Sequence, residues 1–228
     1  LTVSYFLRPH RPVRLRLKLD TEKIPVLSRP PRLPTDRPFG PQLQADARSD
    51  PAAYADGITA HLREDRRHIS DSDIDSLSAV LRSQSRPLNL EMAVTQEMLA
   101  IALHHRPHAV CLVPEKREER TTEGGLDVAR DENRLAHYIA PLIEAGSRVS
   151  IFIGAEEHQL KSAHRIGAQV VELHSGAYCD AYHEGDFDTA DAELTKLREM
   201  TTFGCLEGAQ ARISSWSCSA LARSRLSQ

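Results

Sequence analysis

At 228 residues, 40% hydrophobic and with a formal charge of −3, the chain can bury one large α/β domain or two small ones, and its charge exerts no global pull on nucleic acid or an anionic membrane. Its four cysteines (Cys111, Cys179, Cys205, Cys218) form no CxxC pair and no metal-finger spacing, which fits a reducing cytoplasm better than a disulfide framework. No apolar run approaches the ~20 residues of a membrane span, and charges interrupt the apolar residues near the N-terminus, against a signal-peptide pattern.

Residues 1–54 form an atypical Pro/Arg-rich segment. Positions 1–50 hold eight of the 13 prolines and eight arginines. Arg14-Leu15-Arg16-Leu17-Lys18-Leu19 alternates like a strand, but Ile24-Pro25 and Arg29-Pro30-Pro31 stop regular structure soon after. Ten Lys and Arg against five Asp and Glu give the first fifty residues a charge of +5. A basic, proline-rich stretch of this kind is expected to be irregular, or to serve as an arm for an acidic partner.

From 55 to 203 the pattern becomes regular. Apolar runs recur at 56–62, 88–94, 109–113, 149–153 and 170–173, and helical periodicity separates most of them. Ser70 is placed to cap a helix whose Ile74, Leu77 and Leu81 share a face. Thr95 opens the next, with Met98 to Leu103. Leu135, Tyr138, Ile139, Leu142 and Ile143 follow helical spacing, and Gly146 stands where a C-terminal cap belongs. A helix around Leu160 and Ala163 ends at Gly167, and another carries Leu194 and Leu197. Strands that alternate with helices and are apolar on both faces predict a parallel sheet. Positions 204–228, an atypical Ser-rich tail, show no clear period.

Chemistry collects at the strand ends. His61-Leu62-Arg63-Glu64-Asp65-Arg66-Arg67-His68 packs two imidazoles, three guanidiniums and two carboxylates into the eight residues that close the first run. A solvated charge run would account for such density, but a His at a strand terminus with Arg two residues on also supplies a titratable base beside a phosphate clamp. Glu91 lies within the second run. Glu172 and His174 are assigned to the fifth, two apart and so on one face. A Glu buried in an apolar strand needs a partner. Thr121-Thr122-Glu123-Gly124-Gly125-Leu126 offers hydroxyls and backbone N–H groups suited to phosphate, ahead of a helix. His61, Glu91, Glu172 and His174 are also residue types that could hold a divalent metal, although no HxH or ExxH spacing occurs within one element.

The run Ala55-Asp56-Gly57-Ile58-Thr59-Ala60-His61-Leu62-Arg63-Glu64-Asp65-Arg66-Arg67-His68-Ile69 closely resembles the pyridoxine 5'-phosphate synthase family. So do Asn89-Leu90-Glu91-Met92-Ala93, Leu112-Val113-Pro114-Glu115-Lys116-Arg117, the Thr121-to-Asp127 stretch and Glu172-Leu173-His174-Ser175-Gly176. The resemblance runs over about 55–203. It implies a parallel (β/α)8 TIM-type barrel that assembles into a homo-octamer. It implies a transferase-type condensation of 3-amino-2-oxopropyl phosphate with 1-deoxy-D-xylulose 5-phosphate to pyridoxine 5'-phosphate, with loss of phosphate and water and with no metal or organic cofactor. His61 matches an acid/base residue of the family, Glu91 a second proton acceptor, and Glu172 a carboxylate that stabilises cationic intermediates. Arg63, His68 and Thr121 match ligands of the deoxyxylulose phosphate.

The departures lie outside that stretch. Five runs match the family's second to sixth strands, so the barrel is expected to be incomplete. Nothing in 1–50 matches the family's first-strand Asn-x-Asp-His motif. The last histidine in the chain is His183, so the Ala-Gly-His-Gly motif with its general-acid His has no counterpart either. Shifted reading frames or altered gene ends would give such sharp edges, and the chain is expected to be a poor or inactive catalyst. A non-catalytic remnant of the enzyme and a metal-dependent sugar-phosphate aldolase barrel are the alternative readings.

Overall fold

The computed structural model describes residues 2–3, 19–20, 57–121, 124–206 and 210–213. Within 1–54 this covers only a short antiparallel pairing of Thr2–Val3 with Leu19–Asp20; the rest of that expected irregular segment, and the Ser-rich stretch from 214 onward, lie outside the described residues. The chain divides into two compact units, Leu1–Glu91 and Met92–Gln228.

In the first unit, strand β1 (Ile58–His61) is followed by helix α1 (Asp71–Ser83) and strand β2 (Leu88–Met92), which ends one residue past the unit's edge. β1 and β2 pair in parallel, Ile58 beside Leu88 through His61 beside Glu91. Their alternation puts Ile58, Ala60, Leu88 and Leu90 on one face and Thr59, His61, Asn89 and Glu91 on the other. Helix α1 starts where a capping box forms. The Ser70 hydroxyl accepts from the Asp73 amide, and the Asp73 carboxylate accepts from the Ser70 amide at 2.9 Å. Asp71 and Asp73 in the first turn and Arg82 in the last complement the helix dipole. Ile74, Leu77 and Leu81 form its buried stripe, each side chain worth roughly 1.5–3 kcal/mol on burial.

The second unit alternates helices and strands: α2 (Gln96–His105), β3 (Ala109–Leu112), α3 (Glu132–Glu144), β4 (Arg148–Ile153), α4 (Glu157–Arg165), β5 (Val170–Leu173), α5 (Gly176–Glu184), α6 (Phe187–Leu206) and β6 (Gln210–Ile213). β3, β4, β5 and β6 lie side by side in that order, all parallel. Thr95 caps α2 by accepting from the Met98 amide. Helix α3 buries Leu135, Tyr138, Ile139 and Leu142, and Gly146, with φ +91°, turns the chain out of it into β4. The Tyr138 hydroxyl donates to the Thr95 carbonyl at 2.7 Å, tying α3 to the start of α2.

Parallel strands alternating with helices make this an α/β fold consistent with a TIM-type barrel, and among the described residues the sheet is not closed. Two elements go beyond what the sequence pattern predicts. Helix α6 continues through Gly204 to Leu206, and β6 pairs with β5 inside the stretch that shows no period.

Candidate active site

The first unit supplies a buried acid–base pair. His61 is the last residue of β1 and stands in register with Glu91. His61 Nδ1 lies 3.9 Å from Glu91 Oε2, with side chains 10% and 1% exposed. That is an ion-pair distance, too long for a hydrogen bond. A carboxylate this deep in an apolar sheet is costly without a polar partner, and the imidazole stands beside it. Deeper along the same face the Asn89 amide donates to Thr59 Oγ1 at 3.3 Å, and Asn89 Oδ1 is buried with no hydrogen-bond donor among the described residues. This face is thus polar at two successive inward positions of each strand, an arrangement a strand packed for stability alone would avoid.

The charged run after β1 resolves into distinct roles. The Leu62 amide extends the pairing by donating to the Glu91 carbonyl at 3.1 Å, and the Arg66 amide then closes a turn on the Arg63 carbonyl at 3.0 Å. Arg66 donates to Asp71 at 2.9 Å and to the Glu64 carbonyl at 2.9 Å, so it ties the turn to the start of α1. Arg63 is about one-third exposed and is held by Asp65, with Nε donating to Oδ1 at 3.2 Å. Asp65 also pairs with Arg67 at 3.1 Å. The Arg63 hydrogen bond first, and then the Arg67 amide, draw the Asp65 carboxyl down to about 2. His68 follows, half-buried, just ahead of the α1 cap.

The second unit holds Glu172 and Thr121. Glu172, in β5, is in register with Phe152 of β4 and Arg212 of β6, and accepts from Ser150 Oγ at 3.1 Å. Thr121 stands at the end of a short antiparallel bridge between Arg120 and Leu126. The Thr121 amide donates to the Gly125 carbonyl at 2.9 Å and the Gly124 amide to the Thr121 carbonyl at 3.0 Å. The Leu126 amide reaches the Phe152 carbonyl at 2.8 Å, so this segment docks on the end of β4. Gly125 lies so close to the Ile153–Gly154 backbone that any Cβ would collide with it. Thr121 Oγ1 is buried and has no hydrogen-bond partner among the described residues. A buried hydroxyl in that state awaits a polar ligand or remains a cost to folding.

Downstream, Gln159 of α4 fixes the other end of the segment. Its Oε1 accepts from the Val128 amide at 2.8 Å and the Ala129 amide at 3.1 Å, and its Nε2 donates to Asp127 at 2.8 Å.

A family model described as "Pyridoxal phosphate biosynthesis protein PdxJ" matches residues 37–211. The chain belongs to this family. Among its relatives, the pyridoxine 5'-phosphate synthase of Roseobacter denitrificans is 71% identical over 157 residues, which are 69% of this chain and 62% of that protein. Those of Ruegeria pomeroyi and a Jannaschia species are 72% identical over 151 residues and 65% identical over 145, covering 66% and 64% of this chain and 60% and 57% of theirs. The match thus spans about three-fifths of these relatives' length. The family model reaches past the 55–203 stretch on both sides.

Of the residues singled out in the sequence, the first unit brings His61 and Glu91 together and sets Arg63 and His68 on the segment that follows His61. Glu172 and Thr121 belong to the second unit, one beside Ser150 in the sheet and the other on the segment docked at the end of β4. Thr59, Asn89, Ser150 and Gln159 were not singled out. Thr59 and Asn89 do carry a signal, as polar residues at two-residue spacing from His61 and Glu91. Gln159 carries none, because its partners lie some 30 residues upstream.

Proposed function

We propose that the chain carries the pyridoxine 5'-phosphate synthase chemistry: condensation of 3-amino-2-oxopropyl phosphate with 1-deoxy-D-xylulose 5-phosphate. The observation that carries this reading is the buried His61–Glu91 pair in register at the strand ends, followed within seven residues by Arg63 and His68. Imine formation joins the amine of one substrate to the ketone of the other and expels water. Loss of phosphate and ring closure then need protons moved at carbon, nitrogen and oxygen. His61 takes and returns protons, and Glu91 is the second acceptor. Glu91 is shielded from water, so a negative charge there is little screened from whatever stands before it. Glu172, oriented by Ser150, offsets positive charge on the imine nitrogen. Arg63, His68 and Thr121 hold the phosphate of the deoxyxylulose, the first two by charge-assisted contacts and Thr121 through its unpartnered hydroxyl. A homo-octamer in the cytoplasm is the assembly and location this reading carries with it.

Calorimetric titration with 1-deoxy-D-xylulose 5-phosphate tests the reading. Saturable binding, weakened at least about tenfold by either His68→Ala or Thr121→Val, is expected, since each removes a polar contact to a dianion. No binding, or binding indifferent to both substitutions, overturns it.

A further inference from the structure

We infer that His174 is a positioning residue: it seats the backbone of Thr121 and Gly124, and through them sets the Thr121 hydroxyl for the sugar phosphate. The consequence for substrate rests on the function proposed above. His174 is the first residue past β5, and its own amide still donates to the Ile153 carbonyl of β4 at 2.8 Å. Its ring is held on several sides. Nδ1 accepts from the Gly176 amide at 3.2 Å, which leaves the ring proton on Nε2. The ring meets Phe152 edge-on with centroids 5.3 Å apart, and Phe152 is itself buried against Cys111 and Val113. Gly176 has no room for a side chain because a Cβ there would run into the imidazole. Gly124 comes up to the same ring, with a Cβ position only 3.3 Å from Cε1 and from Nε2.

Phe152 joins the two halves of this arrangement. Its side chain supports the His174 ring while its carbonyl receives the Leu126 amide. Gly124 passes the contact on, since its amide donates to the Thr121 carbonyl. The imidazole therefore fills the space that Gly124 rests against. A smaller side chain would leave a void beneath Gly124 and a Gly176 amide without its acceptor. His174 touches no reacting atom in this account and acts only through Gly124.

The test is amide hydrogen exchange on the full chain, comparing the parent with His174→Ala and His174→Gln. His174→Ala is expected to speed exchange at Thr121 and Gly124 about tenfold, with the amides of 149–153 unchanged. His174→Gln keeps an acceptor for the Gly176 amide and is expected to restore most of the protection. Unchanged exchange at Thr121 and Gly124, or a rise shared equally by β4, overturns the inference. A second measurement needs no variant: the ¹⁵N spectrum of the parent should show His174 protonated at Nε2 and not at Nδ1 at neutral pH, and the opposite tautomer also overturns it. Binding of 1-deoxy-D-xylulose 5-phosphate should fall about tenfold in His174→Ala. If the parent binds none while exchange behaves as expected, the proposed function fails and the positioning role stands.

Discussion

Gln159 offers a sharp test of how the Thr121 segment is anchored. It is 1% exposed and makes three hydrogen bonds to the segment that follows Thr121. Gln159→Leu keeps the volume close to the original but strips the acceptor from the Val128 and Ala129 amides. Val128 is fully buried, so its amide cannot turn to water instead. Each unsatisfied buried donor costs about 1–3 kcal/mol. Ala129 is exposed and its amide recovers part of its loss from water, so the expected total is about 2–4 kcal/mol. For a chain of this size that lowers the thermal midpoint by roughly 5–15 °C. Gln159→Glu separates the causes. It keeps an acceptor for both amides but removes the donor to Asp127 and sets two carboxylates together, so its smaller loss should shrink as the pH falls and one of them is protonated. Urea unfolding at several pH values, with an unchanged denaturant slope, reads both variants. A loss below about 0.5 kcal/mol in Gln159→Leu would mean that water replaces the side chain and that the segment is not anchored there.

Arg63→Ala should weaken 1-deoxy-D-xylulose 5-phosphate more than the amino ketone phosphate. A charge-assisted contact is worth about 1.5–3 kcal/mol, or roughly 10- to 150-fold, and the low end is expected because Arg63 already spends its charge on Asp65; equal losses for both phosphates in paired titrations would contradict the assignment. Glu132 tests the acid limb of stability. Arg165 first, and then Ser162, hold its carboxyl at about 2 against an ordinary 4.5. A folded value below the unfolded one gives stabilisation that is complete above about 4.5 and lost as the pH falls through about 2. Glu132→Gln should therefore lower the thermal midpoint at neutral pH, with the two curves converging near pH 2; a gap that stays constant with pH would contradict this.

Much of the fold is legible in the sequence where local pattern and tertiary role agree. The runs at 56–62 and 88–94 read as strands because they are short apolar runs separated by helical periodicity, and the ladders confirm them at Ile58–His61 and Leu88–Met92. The first is shorter than its apolar run because Leu62 adds only one amide to the pairing. Helix α3 is legible from its spacing and Gly146. Helix α5 is not: it opens on a glycine, spans nine residues, and buries Tyr178, Cys179 and Ala181 with no sustained helical repeat. Gly176 is explained by the His174 ring, which no local pattern announces. Strand β6 has four residues and a single Ile, and it exists through its pairing with β5. In the site, His61 and Glu91 were legible because a charged group in an apolar strand is conspicuous. The division of labour among Arg63, Arg66 and Arg67 was not, since three adjacent guanidiniums look alike until Asp65 and Asp71 select among them.

The most direct test supplies both phosphates to the purified chain and follows pyridoxine 5'-phosphate with time, with His61→Asn and Glu91→Gln in parallel. The predicted result is slow formation, with a further fall of about 10²–10⁴-fold in each variant. Formation at the same rate in the parent and both variants, or parent turnover near that of an intact family member, would contradict the account.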